Sequence, residues 1–170
     1  YTHAKARSTG NLWLRHAKQW RRFDLAASAG ISLTPYGTSA LWSLSGGYTP
    51  AAGLHLGIGA FQSMRLPTFT DLYYTSPAQI NNLDLTPERA VTYLFDAGYM
   101  KNSWRLSLQT YYRAGRDIID WVWREDMGDK WHSEQTSRLD TYGIELSGGY
   151  TVADGFLRRV TLSYGYITTD

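Results

Sequence analysis

The sequence contains no cysteine, and its charges nearly balance. Without cysteine, neither a disulfide framework nor a thiolate metal site is available. The 17 basic and 15 acidic residues leave a formal net charge of +2, which is too small to indicate a nucleic-acid-binding protein. No run of about 18 apolar residues occurs, which excludes a membrane-spanning helix. A membrane β-barrel remains allowed, because each of its strands needs only about 9–11 residues.

Residues that favour strands and turns are abundant. The 170 residues include 16 glycines, 13 tyrosines and 7 tryptophans, so the composition predicts an all-β protein. Eight segments alternate an apolar face with a polar or small face, as strands with one buried side do. These segments cover residues 11–17, 22–33, 41–49, 54–63, 91–99, 104–113, 141–150 and 159–166.

Strands of this kind fit two architectures. In a soluble sandwich the apolar faces point inward, whereas in an outer-membrane barrel they meet lipid and the polar faces line the lumen. The connections favour the barrel, since membrane barrels have short periplasmic turns and long outer loops. Here short connections (18–21, 50–53, 100–103 and 151–156) alternate with medium or long ones (34–40, 65–88 and 114–137).

Aromatic residues mark both ends of the predicted strands. Tyr112 and Tyr142 lie on apolar faces beside the long connections. Five others lie beside the short turns: Trp20, Tyr48, Tyr99, Trp104 and Tyr150. Two such belts are typical of the two membrane interfaces. The pattern therefore predicts an antiparallel up-and-down transmembrane β-barrel.

The connection over residues 65–88 is the most distinctive stretch. It contains Pro67, Pro77 and Pro87, three of the five prolines, and its apolar residues follow no regular period. We therefore expect a long loop with neither helix nor strand, and loops of this length are usually functional. Arg65 and Glu88 lie where adjacent antiparallel strands end, which predicts a charge-assisted hydrogen bond across the base of the loop.

The sequence offers little for catalysis. No His-Glu-x-x-His or Gly-x-Ser-x-Gly motif occurs, and the four histidines show no metal-ligand spacing: His3, His16, His55 and His132. The acidic group Glu125, Asp126 and Asp129 fits either a calcium site or a solvated loop, and its irregular spacing favours the solvated loop. We therefore predict no enzyme, no metal site and no cofactor.

Two motifs in the long loop resemble those of TonB-dependent outer-membrane receptors. The first run, Arg-x-Pro-x-Phe-x-Asp-Leu-Tyr, comprises Arg65, Pro67, Phe69, Asp71, Leu72 and Tyr73. The second run comprises Asn82, Leu85, Pro87 and Glu88. Asn81 stands where the family usually has glycine, and Leu94 where it often has a lumen-facing glutamate. The segment from Asp117 to Val122 also looks like one that these receptors carry.

The resemblance implies a larger protein than this chain. Receptors of this family are 22-stranded barrels with a plugged lumen, so residues 1–170 would be about eight strands from the later part of the barrel, without the plug domain. It implies an outer-membrane receptor that binds a ferric siderophore or cobalamin and imports it with energy from TonB, which would bind through a missing N-terminal part. The implied partners are TonB, outer-membrane lipid and the nutrient. A passive pore or adhesin barrel is the alternative.

The resemblance also suggests candidate contact residues. The two outer loops, 65–88 and 114–137, would help to catch the ligand, and their aromatic residues suit a bulky conjugated molecule unless they only pack the loops. These candidates are Tyr73, Tyr74, Trp121, Trp123 and Trp131. Four charged residues are expected to face the lumen, where they would meet the plug, guide an anionic ligand or pair within the wall: Arg105, Arg113, Arg138 and Glu145.

Overall fold

The computed structural model describes residues 6–152 and 158–170, and almost all of its regular structure is strand. Eight long strands confirm the all-β prediction: β1 (Gly10–Trp20), β2 (Phe23–Thr34), β3 (Gly37–Ala51), β4 (Leu54–Arg65), β6 (Glu88–Lys101), β7 (Trp104–Arg124), β8 (Lys130–Thr151) and β9 (Arg159–Thr169). Between β4 and β6 lie a short helix, α1 (Phe69–Tyr73), and a two-residue strand, β5 (Gln79–Ile80). Within the described ranges, no helix is long and apolar enough to cross a membrane.

The long strands form one antiparallel sheet in chain order. Each pairs with its neighbours in sequence, from β1 at one edge to β9, which pairs with β8, at the other. This is an up-and-down meander, the arrangement of a barrel wall. The described strands leave the sheet open.

The apolar side of the sheet is the more exposed side. In β2, Phe23, Leu25 and Ile31 are 46%, 48% and 42% exposed, whereas Asp24 and Ser28 on the polar side are half-buried. A soluble sandwich would show the opposite pattern, with its apolar side chains covered. An uncovered apolar face of this size is typical of a surface that meets lipid or a partner, which agrees with a membrane barrel.

Tight turns join the strands at one rim of the sheet. Residues 21–22, 52–53 and 102–103 separate consecutive strands. Arg21 and Asn102 adopt positive φ angles of 50° and 53°, as two-residue hairpin turns require. Gly53, with φ of 83°, also passes so close to the Met100 carbonyl that a Cβ atom would collide with it.

The opposite rim differs from the sequence prediction in two places. The expected connection over 34–40 is only a two-residue turn, residues 35–36. The prediction of a loop over 114–137 is wrong, because β7 and β8 continue as a paired hairpin to Arg124 and Lys130. The sequence did not predict this part of the hairpin, because its residues do not alternate an apolar with a polar face. Residues 125–129 form its tip.

The predicted aromatic belts are present on the apolar side. Near the tight turns, Phe23 stacks on Tyr48 with ring centroids 4.7 Å apart, and Trp104 packs against Tyr150 at 4.8 Å. Near the opposite rim, Tyr93, Tyr112 and Tyr142 stack in a continuous row, at 6.2 and 4.8 Å. Stacking across neighbouring strands stabilises a sheet and fixes its register.

The long loop over residues 66–87 is more regular than its sequence predicts. It contains α1, and its β5 pairs in parallel with β8, with Gln79 opposite Trp131 and Ile80 opposite His132. The loop thus reaches β8 at the edge that β9 occupies lower down. We call the loop and the upper part of the β7–β8 hairpin, residues 66–87 and 117–136, the outer lobe.

Candidate functional site

The base of the outer lobe is built around Arg65 and Glu88. They form the last paired position between β4 and β6. Arg65 Nε donates a hydrogen bond to Glu88 Oε2 at 2.8 Å, and Arg65 Nη2 donates a second one to Glu88 Oε1. The structure therefore confirms the hydrogen bond predicted across the loop base, and both ends of the loop are joined.

Glu88 also connects the loop base to β7. Its side chain is only 6% exposed, and Oε1 accepts the backbone N–H of Ile119 at 2.8 Å. Burial favours the neutral carboxyl, but the hydrogen bonds from Arg65 and Ile119 outweigh it and hold the pKa of Glu88 below its ordinary value of 4.5. Glu88 is therefore a charged group that ties three strands together.

Asp71 explains why a helix starts inside the loop. Thr68 is the N-cap of α1, and its hydroxyl accepts the Asp71 N–H at 3.1 Å, while Asp71 Oδ2 accepts the Thr68 N–H at 2.8 Å. This reciprocal capping box satisfies two amide groups that a helix start leaves free. Asp71 Oδ2 also lies 3.8 Å from Arg65 Nη1. The motif aspartate thus connects the helix with the ion pair.

A small apolar core holds the outer lobe together. Leu72 and Leu85 from the loop pack with Ile119 of β7, and these side chains are 5%, 2% and 7% exposed. Pro67 is fully buried. Two motif leucines therefore fix the loop on the polar side of β7, because Ile119 points to that side.

Hydrogen bonds from two asparagines and one glutamine hold the loop in place. Asn81 Nδ2 donates to the Leu72 carbonyl at 2.6 Å, and the Asn82 N–H donates to the Asp71 carbonyl at 3.2 Å. Gln135 Nε2 donates to the carbonyls of Thr86 and Asp117, at 2.9 and 2.8 Å. The sequence did not predict that Ile119 packs against the loop or that Gln135 donates hydrogen bonds to it, because both residues lie on a segment that was interpreted as a loop.

The remaining motif residues lie at the edge of this packing. Phe69 is exposed and forms a tilted ring pair with Tyr73 at 6.1 Å. The Arg7 guanidinium lies over the Phe69 ring at 5.3 Å and donates to the Pro67 carbonyl at 2.7 Å. Pro87 is half-buried beside Glu88. The two contacts of Arg7 attach the segment before β1 to the loop.

Of the five aromatic ligand candidates, two are brought together. Trp123 and Trp131 are directly opposite on β7 and β8, and their rings meet edge to face at 5.6 Å. They are 43% and 44% exposed. Tyr73 is exposed on α1, whereas Tyr74 and Trp121 are half-buried. The tryptophan pair therefore forms an accessible aromatic surface close to the tip of the hairpin.

Three of the four charged residues predicted to face the lumen lie on the polar side of the sheet. By strand alternation, Arg105, Arg113 and Glu145 point to the side that carries Asp24 and Asp96.

The prediction for Arg138 is wrong. Arg138 Nε and Nη2 donate to Asp140 at 3.1 and 2.5 Å, and the Tyr112 hydroxyl donates to the same carboxylate at 3.1 Å. Because Tyr112 belongs to the stacked row on the apolar side, Arg138 faces outward as well. Because β8 begins at Lys130, Arg138 lies within this strand, and its side chain points to the same side as that of Tyr142, four positions later.

The acidic group Glu125, Asp126 and Asp129 lies exposed at the hairpin tip. Within the described ranges, no set of three histidine or acidic side chains is arranged to hold a metal ion. Of the four histidines considered as metal ligands, His3 lies outside the described residues. The geometry of the site is therefore one of packing and hydrogen bonding.

A family model described as TonB dependent receptor-like, beta-barrel matches residues 5–170. The chain belongs to the TonB-dependent receptor family. The barrels of this family lie in the bacterial outer membrane, which places the exposed apolar side of the sheet against lipid and its polar side towards the lumen. The motif residues of the receptor thus build the base of its outer lobe.

Individual relatives agree with this assignment. The chain is 27% identical over 135 residues to the vitamin B12 transporter BtuB of Photobacterium profundum, which covers 78% of this chain and 21% of that protein. The siderophore receptor PirA from Pseudomonas aeruginosa is similar in structure, with a TM-score of 0.78 at 13% identity, covering 95% of this chain and 32% of PirA. The copper transporter OprC has a TM-score of 0.73 at 15% identity, covering 94% and 30%.

The receptor chain thus spans about a fifth to a third of the length of these relatives. At 13% and 15% identity, PirA and OprC establish the shared fold. The names of the three relatives refer to different ligands: vitamin B12, a siderophore and copper.

Proposed function

We propose that the protein containing this chain is an outer-membrane receptor that binds a ferric siderophore or cobalamin outside the cell and imports it with energy from TonB. Membership of the TonB-dependent receptor family supports this class of activity. TonB would act through a part of the protein other than the strands described above. The protein would be a transporter without catalytic activity of its own.

The observation that carries the proposal is the ordered outer lobe. Loop 66–87 is fixed to β7 by the Glu88–Ile119 hydrogen bond and the buried leucines, and to β8 by the β5 pairing. An ordered outer lobe favours a receptor, because a binding surface that is organised before the ligand arrives gains affinity.

The exposed tryptophan pair suggests which ligands fit. Trp123 and Trp131 present flat apolar surface with an indole N–H at the edge, which suits a conjugated molecule such as a corrin or a catecholate chelate. We infer that this pair, with Tyr73 on α1, contributes to the outer ligand surface. Arg105 and Arg113, on the lumen side, would then meet the plug or an anionic ligand further inside.

Uptake by cells that depend on the full-length receptor tests the proposal. We expect radiolabelled cobalamin or iron presented as a ferric siderophore to accumulate only when the receptor and TonB are both present. Accumulation that is independent of TonB and proportional to concentration would indicate a passive pore. Cell attachment without uptake would indicate an adhesin.

A further inference from the structure

Three arginines lie side by side on the lipid-facing side of the sheet. Arg89 of β6 is directly opposite Arg116 of β7, which is directly opposite Arg138 of β8. All three are exposed. Neighbouring strands are about 4.8 Å apart, so the three side chains leave the sheet within roughly 10 Å. We call these residues the arginine row.

The arginine row lies just beyond the outer aromatic belt. Tyr93, Tyr112 and Tyr142 occupy the same three strands and the same side, four positions closer to the membrane centre, a distance of about 13 Å along the strand. The Tyr112 hydroxyl points towards the row, because it donates to Asp140, which also binds Arg138. Since tyrosine belts mark the membrane interface, the row lies at the level of lipid headgroups.

The charge of the row is only partly compensated. Asp140 forms an ion pair with Arg138 and also attracts Arg116 electrostatically. Among the described residues, neither Arg89 nor Arg116 has an ion pair or a side-chain hydrogen bond. On the same side, Asp170 is opposite Asp140 on β9, Glu134 is paired with Arg124, and Asp120 lies four positions beyond Arg116 on β7. Like charges on directly opposed strand positions are destabilising, so an anion bridging Arg89 and Arg116 would stabilise the sheet.

We propose that Arg89, Arg116 and Arg138 bind the phosphate group of a lipid headgroup in the outer leaflet. The proposal rests on the proposed function, because it requires the barrel to lie in the outer membrane. Guanidinium groups bind phosphate oxygens in pairs, with planar geometry that an ammonium lacks. Met64, opposite Arg89, and the tyrosine row below give the attached lipid an apolar surface that a free phosphate ion would not use.

The experiment measures lipid retention by the full-length receptor in nanodiscs of phosphatidylcholine. Fluorescent lipid A with both phosphates is compared with the same lipid after dephosphorylation. We expect the receptor to retain the phosphorylated form at least about tenfold better, because each guanidinium forms charge-assisted hydrogen bonds with a phosphate group. Replacing Arg89→Gln and Arg116→Gln together should remove the preference.

Two further variants separate charge, geometry and folding. Arg89→Lys with Arg116→Lys keeps the charge but loses the paired hydrogen bonds, so the preference should fall without vanishing. Lys101→Gln removes a charge from the same side of β6 at the opposite rim and should leave the preference unchanged. Should the glutamine double variant not fold, Arg116→Gln alone is measured in its place.

The outcomes are distinct. Equal retention of both lipids by the receptor, or a preference that survives the glutamine substitutions, would overturn the proposal. Displacement of the lipid by millimolar inorganic phosphate would show a site for free phosphate and would also overturn it. Loss of TonB-dependent nutrient uptake by a receptor that still retains the phosphorylated lipid would overturn the proposed function alone.

Discussion

Arg65 and Glu88 are the last paired residues of β4 and β6, and their side chains are joined by two hydrogen bonds. The carboxylate that accepts both bonds also accepts the N–H of Ile119 on β7. One carboxylate therefore holds both ends of loop 66–87 and attaches them to the next hairpin. The position of the outer lobe depends on this contact.

Replacing Glu88→Gln should loosen the outer lobe while the strands remain paired. Glutamine keeps the shape but loses the charge, and its NH2 group replaces one acceptor oxygen, so it cannot accept both hydrogen bonds of the Arg65 guanidinium. Hydrogen bonds to charged groups contribute about 1.5–3 kcal/mol each, so we expect local opening of the lobe to become about ten times more frequent or more. Hydrogen exchange of the amides in 68–86 and 119–121 measures this.

Asp84→Asn is the matched control for that variant. Asp84 lies exposed in the same loop, and the substitution removes the same charge without touching the loop base. Exchange in the Asp84→Asn receptor should equal that of the parent. Equal exchange in the Glu88→Gln receptor as well would show that the ion pair does not hold the lobe.

The outer lobe should lose order at acid pH. Because the pKa of Glu88 is lowered in the fold, its contribution is complete above its ordinary value of 4.5 and is lost as the pH falls through the lowered pKa. Arg65 stays protonated throughout. Limited proteolysis of loop 66–87 between pH 7 and pH 2 by an acid-tolerant protease should show cleavage rising only in the acid part, and the Glu88→Gln receptor should lack that step.

A methyl group at Gly143 should destabilise the barrel. A Cβ atom there would collide with the ring of Tyr111, which lies flat on the Gly143 backbone across the β7–β8 pair. We expect Gly143→Ala to lower the free energy of unfolding of the folded barrel by about 1–3 kcal/mol, because the ring must leave its position. Urea unfolding measures the change.

Gly98→Ala is the control for Gly143→Ala. Gly98 also lies within a strand on the polar side, but a Cβ atom there would meet nothing within 4 Å. We expect little loss of stability from this substitution. Similar losses at both positions would mean that intrinsic strand preference, and not the Tyr111 contact, explains the glycine.

The extended hairpin should depend on Arg124 and Glu134. Arg124 donates two hydrogen bonds to Glu134, at 2.7 and 2.6 Å, close to the hairpin tip. Glu134→Gln should increase hydrogen exchange locally, in 121–124 and 130–133, with no change in the membrane part of the strands. Glu125→Gln, at the exposed tip, serves as the control, and an equal effect of both variants would contradict a specific role for the pair.

Ligand affinity should depend on the exposed tryptophan pair. If Trp123 and Trp131 contact the ligand, replacing both by alanine should weaken the binding of cobalamin or a ferric catecholate at least about tenfold, since aromatic contacts contribute about 0.5–1.5 kcal/mol each beyond area. Calorimetry on the full-length receptor measures this. Trp104→Ala removes an indole from the lipid-facing belt at the opposite rim and should leave the affinity unchanged.

The sequence alone determined the strand architecture. Period-two alternation from Phe23 to Ile31, and again in the second half of the chain, predicts each long strand, because a sheet with lipid on one side and water on the other imposes this pattern. The Arg65–Glu88 contact followed from the same logic, since both residues end adjacent antiparallel strands. Local pattern is sufficient wherever one side of a strand must be apolar.

Only the tertiary structure decided what lies beyond the membrane. The β7–β8 hairpin continues past Asp117 without alternation, because neither of its sides meets lipid there. The insertion of Leu85 against Ile119 and the hydrogen bond from Ile119 to Glu88 join residues that are distant in sequence. Such contacts leave no local period, so the sequence shows their residues but not their partners.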